Sequence, residues 1–168
     1  MTGLTAFSNV SRRNLTITKD SACLPYSEIA SKIVWLDALL TNVDRTARNT
    51  NMLTWHNELW LIDHGASLYF HHSWNNWKEQ SERPFTQIKD HVLLSLAGEL
   101  EAADVQLRTL LTPDIINAII ELLPDTWLVS ENETPESMRK VYSDFLNNRI
   151  NHSAIFVNEA RHARQSLI

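Results

Sequence analysis

Residues 37–69, DALLTNVDRTARNTNMLTWHNELWLIDHGASLY, decide how the rest of this 168-residue sequence is read. Within them Asp44 precedes Asn49 by five positions, and Asp63 follows Asn49 by fourteen. Between the last two, residues 52–55 and 59–62 are apolar and β-prone, with His56, Asn57 and Glu58 separating them as the loop of a hairpin. Such a hairpin returns Asp63 to the neighbourhood of Asn49. Gly65, just after His64, supplies backbone freedom for a sharp change of direction.

These residue types suit one kind of chemistry. Magnesium takes oxygen ligands and shares them with nucleotide phosphates, so the Asp63 carboxylate and the Asn49 amide oxygen would suffice from the protein. Asp44 would accept or orient the proton of an attacking hydroxyl, as in kinase catalytic loops, where a base, an Asn and a metal-binding Asp recur in this order. The plain alternative makes Asp44 a helix-terminating cap and Asp63 a turn residue, since Asp and Asn are common in both places. A D-x4-N pair alone does not separate the two. Its joint occurrence with Asp-Arg, a hairpin and Asp-His-Gly favours the site.

The run NVDRTARN at 42–49, with LIDHGASLYFHH at 61–72, resembles the HipA-like kinase family of bacteria and, more distantly, the Asp-Arg and Asp-x-Gly motifs of phosphatidylinositol kinases. The resemblance extends from about Ile29 to the C-terminus, and its 42–72 part is highly specific. It implies a mainly α fold, the helical C-terminal lobe of a protein-kinase-like fold with one catalytic β-hairpin, over residues 27–168. It further implies phosphoryl transfer dependent on ATP and Mg2+ to a protein Ser or Thr. Carried over residue by residue, it makes Asp44 the base, places Arg45 and Arg48 in the catalytic motif, and makes Asn49 and Asp63 the magnesium ligands. Asn42, His64 and Gly65 are neighbours, with Asp63-His64-Gly65 in the place of the kinase Asp-Phe-Gly.

A kinase also needs a loop over the phosphates and a Lys reaching them. The forty-three residues before Asp44 contain one glycine, Gly3, and two lysines, Lys19 and Lys32, with no glycine-rich loop. A nucleotide lobe is therefore expected in trans, from an N-lobe or antitoxin-like protein partner. Alone, the chain is expected to bind ATP weakly or not at all, and to form a homo-oligomer or capture a partner beside residues 37–44. Two other readings compete: a catalytically inactive, pseudokinase-like protein-binding module, and a metal-dependent phosphohydrolase whose Asp44, Asn49, Asp63 and His64 activate water. A zinc site of His71, His72, His64 and Asp63 is disfavoured, because neither H-E-x-x-H nor C-x-x-C occurs.

Composition bounds the rest. The length fits one domain with a core of its own. The net charge of -5, with the basic residues scattered, argues against a nucleic-acid stripe or a polybasic membrane patch. A single cysteine, Cys23, excludes an internal disulfide and agrees with a reducing cytoplasm. No basic leader with an apolar core and no run of about eighteen apolar residues appears, so cytoplasmic residence and no membrane contact are expected.

Along the chain, residues 1–26 lack helical periodicity and read as a weakly structured arm with one β-prone patch at 15–18. Ser27 caps a helix over 27–40 whose face is Ile29, Ile33, Leu36 and Leu40. Residues 69–77 gather histidines and tryptophans in the position of an activation segment. From Phe85 the pattern is helical, with Ile88, Val92 and Leu96 on one face, then Leu100, Ala103, Leu107 and Leu110, and Gly98 bending the pair. Thr112-Pro113-Asp114 and Thr134-Pro135-Glu136 are start signals. The first opens a helix that Ile115, Ile116, Ile119 and Leu122 continue, and the second one whose apolar face is Met138, Val141, Tyr142, Phe145 and Leu146. Residues 147–153 interrupt that last helix. Trp55, Trp60, Tyr69 and Phe70 are expected in the core, with Trp60 and Ile62 pointing opposite to Leu59 and Leu61.

Overall fold

The computed structural model describes residues 26–56, 58–128 and 133–168. The arm expected over residues 1–26 lies outside them, apart from Tyr26, as does Cys23. The order of elements is α1 (Tyr26–Leu40), then β1 (Met52–Trp55) and β2 (Glu58–Leu61), then a 3-10 segment (Tyr69–Asn76) running into α2 (Trp77–Ser81). Two 3-10 turns (Thr86–Asp90 and Leu94–Leu96) lead to α3 (Leu100–Leu110) and α4 (Pro113–Glu121). A 3-10 turn (Asp125–Trp127), α5 (Pro135–Asn151) and α6 (Ala154–Gln165) follow. The protein is mainly helical, with one two-stranded antiparallel sheet among the described residues. No described helix is long and apolar enough to cross a membrane.

α1 is the helix the others surround. Val34, Trp35, Ala38 and Leu39 are all buried, and α3, α5 and α6 each pack on it. An apolar helix with so little solvent-facing surface belongs at the centre of a bundle. Trp35 sets its ring edge against Phe156, centroids 5.5 Å apart, and donates its Nε1–H to Asp104 Oδ1 at 2.9 Å. Ser27 lies inside the helix rather than capping it, since the helix already begins at Tyr26. Its carbonyl accepts from Ser31 Oγ, which in turn accepts from the Glu99 amide. Gly98 passes close by, and a Cβ there would meet Ser27 Oγ at 2.9 Å.

The C-terminal end of α1 aims the chain at the site. A helix leaves its last four carbonyls without helical partners, and here each finds one. Asn42 N–H donates to Asp37 O and Thr41 N–H to Ala38 O, the pairing of a Schellman motif, while Leu68 N–H donates to Leu40 O. Arg149 donates from Nη2 to Ala38 O and from Nε to Leu39 O. The left-handed position of the motif is filled by Thr41, at φ 52°, where glycine is usual.

The hairpin register pairs Met52 with Leu61, Leu53 with Trp60, Thr54 with Leu59 and Trp55 with Glu58. β2 therefore starts one residue earlier than the sequence suggested, and Glu58 belongs to the strand. The expected alternation holds: Met52 is buried, Leu59 and Leu61 pack against the core, and Trp60 and Ile62 face outward. The expectation of buried aromatics fails for three of the four. Trp55 and Trp60 are 51% and 50% exposed and Tyr69 is 56% exposed, while Phe70 is buried. A lone hairpin has one face on the body, and the pleat sends Trp55 and Trp60 to the other.

Residues 86–96 also depart from the helical reading. His91 takes extended backbone and bridges Thr46, and the Val92 amide donates to Arg45 O at 3.1 Å. Those two ties to the candidate loop break what periodicity alone makes continuous. In α4 the inward residues are Ile116 and Ile120, while Ile115, Ile119 and Leu122 are exposed. Thr112 and Thr134 cap α4 and α5 as expected, accepting from the Ile115 and Ser137 amides. The last helix of the sequence reading is two helices, broken only at His152-Ser153.

Candidate active site

The site is built outward from Asp37, a wholly buried carboxylate in the last turn of α1. Its Oδ2 accepts from Arg45 Nε at 2.6 Å and from His91 Nε2 at 2.9 Å, and its Oδ1 accepts from Asn42 Nδ2 at 2.9 Å. His91 Nδ1 accepts the Leu93 amide at 3.0 Å, which leaves the ring proton on Nε2, where Asp37 needs a donor. Burial alone would raise the Asp37 pKa. The hydrogen bonds from His91, Arg45 and Asn42, with the Arg45 charge, outweigh it and hold the carboxyl below its usual range.

Arg45 joins this anchor to both ends of the hairpin. Its Nη1 donates to Asn51 O, directly before β1, and Nη2 donates to His64 Nε2 at 3.1 Å, beyond β2. A guanidinium can only donate, so the His64 ring carries its proton on Nδ1. With 1% exposure, Arg45 braces the loop from within and does not face solvent. Arg48 is exposed on the tight turn in which Thr46 and Asn49 exchange backbone hydrogen bonds.

On the outer side of this frame stand the residues singled out by spacing. Asn42 Oδ1 accepts the Asp44 amide at 3.2 Å, which fixes the start of the loop. Asp44, half-buried, receives two amide donors on Oδ2: Asn49 Nδ2 at 2.7 Å and Asn51 Nδ2 at 3.0 Å. Asn51 Nδ2 also reaches the Asp63 carbonyl at 3.4 Å. Asp44, Asn49 and Asp63 are therefore gathered at one end of the hairpin. The sharp backbone change falls on Asp63 itself, at φ 52°, and not on Gly65, whose φ is not positive. Asp tolerates the left-handed region through its short polar side chain. A Cβ on Gly65 would sit 3.5 Å from Asp63 Oδ1, an ordinary van der Waals contact, so neither space nor backbone requires glycine there.

Strain is concentrated here. Thr41, Asn51, His56, Asp63 and Leu68 have positive φ, and no other described non-glycine residue does. Each such position costs on the order of 1–3 kcal/mol and persists where surrounding contacts determine it. Sequence reasoning passed over Asp37, Asn51 and His91. An Asp near a helix end, an Asn in a polar loop and a lone His carry no pattern, and only their contacts reveal them.

Two oxygen donors of the kind magnesium takes are present at the site. Asn49 commits its nitrogen to Asp44, so its amide oxygen, a hard ligand, has no partner among the described residues; nor does the exposed Asp63 carboxylate. The described residues contain no group of three or more His, Cys, Asp or Glu that could hold a metal. His64 is engaged by Arg45, and His71 Nδ1 lies 2.8 Å from Tyr142 Oη in an aromatic cluster with Phe70 and Trp74. No family model, curated protein or solved structure matches the chain.

Proposed function

We propose that residues 37–65 form the base-and-metal half of a kinase-like site, the helical C-terminal lobe of a HipA-like kinase. The substrates would be ATP and a protein Ser or Thr hydroxyl. The observation that carries this reading is Asp44 taking both asparagine amides on Oδ2, which leaves Oδ1 without a partner among the described residues. Oδ1 is then the atom that orients the acceptor hydroxyl and takes its proton. Asn49, through its amide oxygen, and Asp63, through its carboxylate, would hold magnesium. When bound with ATP, the ion neutralises charge on the phosphates. Arg45 acts from inside by keeping Asp44 and the hairpin in register, and Arg48 is free to meet substrate.

Magnesium binds one or two protein ligands weakly without phosphates to complete its shell. A further protein surface would cover the nucleotide. Support for that comes from Trp55, Trp60 and Ile62, apolar and exposed on the hairpin that separates the two metal-holding residues. The test is an amide NMR titration of the chain with magnesium and millimolar ATP. Shifts confined to Asn49 and residues 63–65, and lost in Asp63→Asn, are expected. A uniform response, or one retained in Asp63→Asn, sinks the reading, and the exposed hairpin then stands as a binding module alone.

A further inference from the structure

We infer that Asn51 is a positioning residue that fixes the separation of Asp44 and Asp63. This rests on reading the two carboxylates as parts of one phosphoryl-transfer site, and it assigns their common geometry to a residue outside that motif. Asn51 is buried and is hydrogen-bonded in four directions. Its carbonyl accepts from Arg45 Nη1 and from the Ile62 amide at 2.9 Å. Its side-chain nitrogen donates to Asp44 Oδ2 at 3.0 Å and to Asp63 O at 3.4 Å. Among the described residues no other side chain bonds to both Asp44 and Asp63.

The residue type fits this task and few others do. Asn51 sits at φ 46°, in the left-handed region. Glycine adopts that backbone freely but brings no donor. Aspartate tolerates it but would set a carboxylate, which only accepts, against Asp44 Oδ2. Glutamine brings the donors on a longer chain that the left-handed region disfavours. Asparagine alone combines left-handed tolerance with an N–H pair on a side chain short enough to reach two neighbours. Asn51 itself is buried while Asp44 is half-buried and Asp63 exposed, so its two bonds reach from the core to both carboxylate-bearing residues at the surface.

Supporting residues behind metal ligands change affinity by about 10–100-fold when removed. Asn51→Gly keeps the backbone conformation and deletes both donors; Asn51→Asp does the same at constant size. Manganese with ATP serves as the probe, because its unpaired electrons broaden amide signals according to distance. In the wild-type chain, Asn49 and residues 63–65 should broaden at one common manganese concentration. In Asn51→Gly, thermal melting should change little, while the midpoint rises about tenfold or more and the two groups of signals part company.

A merely structural role predicts the opposite: lower melting with concerted broadening retained at the wild-type midpoint. That result in either variant overturns the inference. If Asn51→Gly does not fold, Asn51→Asp decides. If the wild-type chain shows no broadening, this chain alone does not hold the ion with ATP. The metal-free spectra then decide for Asn51: joint displacement of the Asn49 side-chain amide and the Asp63 amide in Asn51→Gly supports positioning, and displacement of neither refutes it.

Discussion

Arg45 and Arg149 are both 1% exposed and both close on the last turn of α1, yet they are held there by different means. Arg45 faces a carboxylate, Asp37, and a polar set of His91, Asn42 and His64. Arg149 has no carboxylate partner among the described residues. It donates to the carbonyls of Ala38, Leu39, Gln80, Ser81 and Arg83, with its guanidinium 5.7 Å from the Phe145 ring centroid and 5.0 Å from that of Phe156. Most of those carbonyls end α1 or α2, where helix dipoles favour a cation. Burial lowers the Arg149 pKa to about 10, which leaves it charged at neutrality. One arginine belongs to the candidate site and depends on the charge of its partner; the other belongs to the core and answers to fixed dipoles.

The largest effect is expected at Arg149. Arg149→Met fills similar volume but strips several buried carbonyls of their donor, at roughly 1–3 kcal/mol for each that finds no replacement. We expect a loss of about 3–5 kcal/mol, a large part of a stability of about 5–15 kcal/mol, read as a fall in denaturant midpoint. A loss under about 1 kcal/mol would mean that water satisfies those carbonyls as well as the guanidinium does.

Asp37→Asn comes next and sharpens the contrast through pH. It keeps a side chain that can bond Asn42 but leaves the buried Arg45 charge unmatched, and about 3 kcal/mol is the expected cost. In the native protein the Asp37 pKa is held below its unfolded value of 3.8. Its contribution is thus complete above that value and fades as pH falls through the lower folded pKa. Acid unfolding curves should therefore flatten below about pH 4 in Asp37→Asn and keep their slope in Arg149→Met. An unchanged acid limb in Asp37→Asn would assign the acid sensitivity to other carboxylates.

The helical body and the site were legible to different degrees. Thr112-Pro113 and Thr134-Pro135 announced α4 and α5 because capping is local, and both threonines accept the expected amides. Thr134→Ala should cost about 1 kcal/mol, with Asp44 and its partners undisturbed. Spacing picked out Asp44, Asn49 and Asp63, since hairpin geometry is also short-range. Residues 86–96 misled because Ile88, Val92 and Leu96 have helical spacing, whereas His91 is needed at Asp37, fifty-four positions earlier. A tertiary bond of that kind overrides local periodicity and leaves no trace in it. The same holds for the frame as a whole: Asp37, Arg45 and Asn51 have meaning only through each other.

The smallest stability effect, and the sharpest separation of frame from chemistry, is expected at Asp63→Asn. The Asp63 carboxylate is exposed and accepts no hydrogen bond among the described residues, while its backbone is left-handed at φ 52°. Asparagine is at home in that conformation, so the strain is unchanged. The Asn51 contact runs to the Asp63 carbonyl, which the substitution leaves in place. Stability should stay within about 0.5 kcal/mol of the parent, as for surface changes that touch no special feature. The magnesium-ATP response, by contrast, should disappear, because a neutral amide replaces the one carboxylate the site offers to the ion. If melting falls by several degrees along with the response, Asp63 belongs to the frame with Asp37 and Arg45. If melting and response are both unchanged, the metal-holding role passes from Asp63 and the proposed half-site loses its carboxylate.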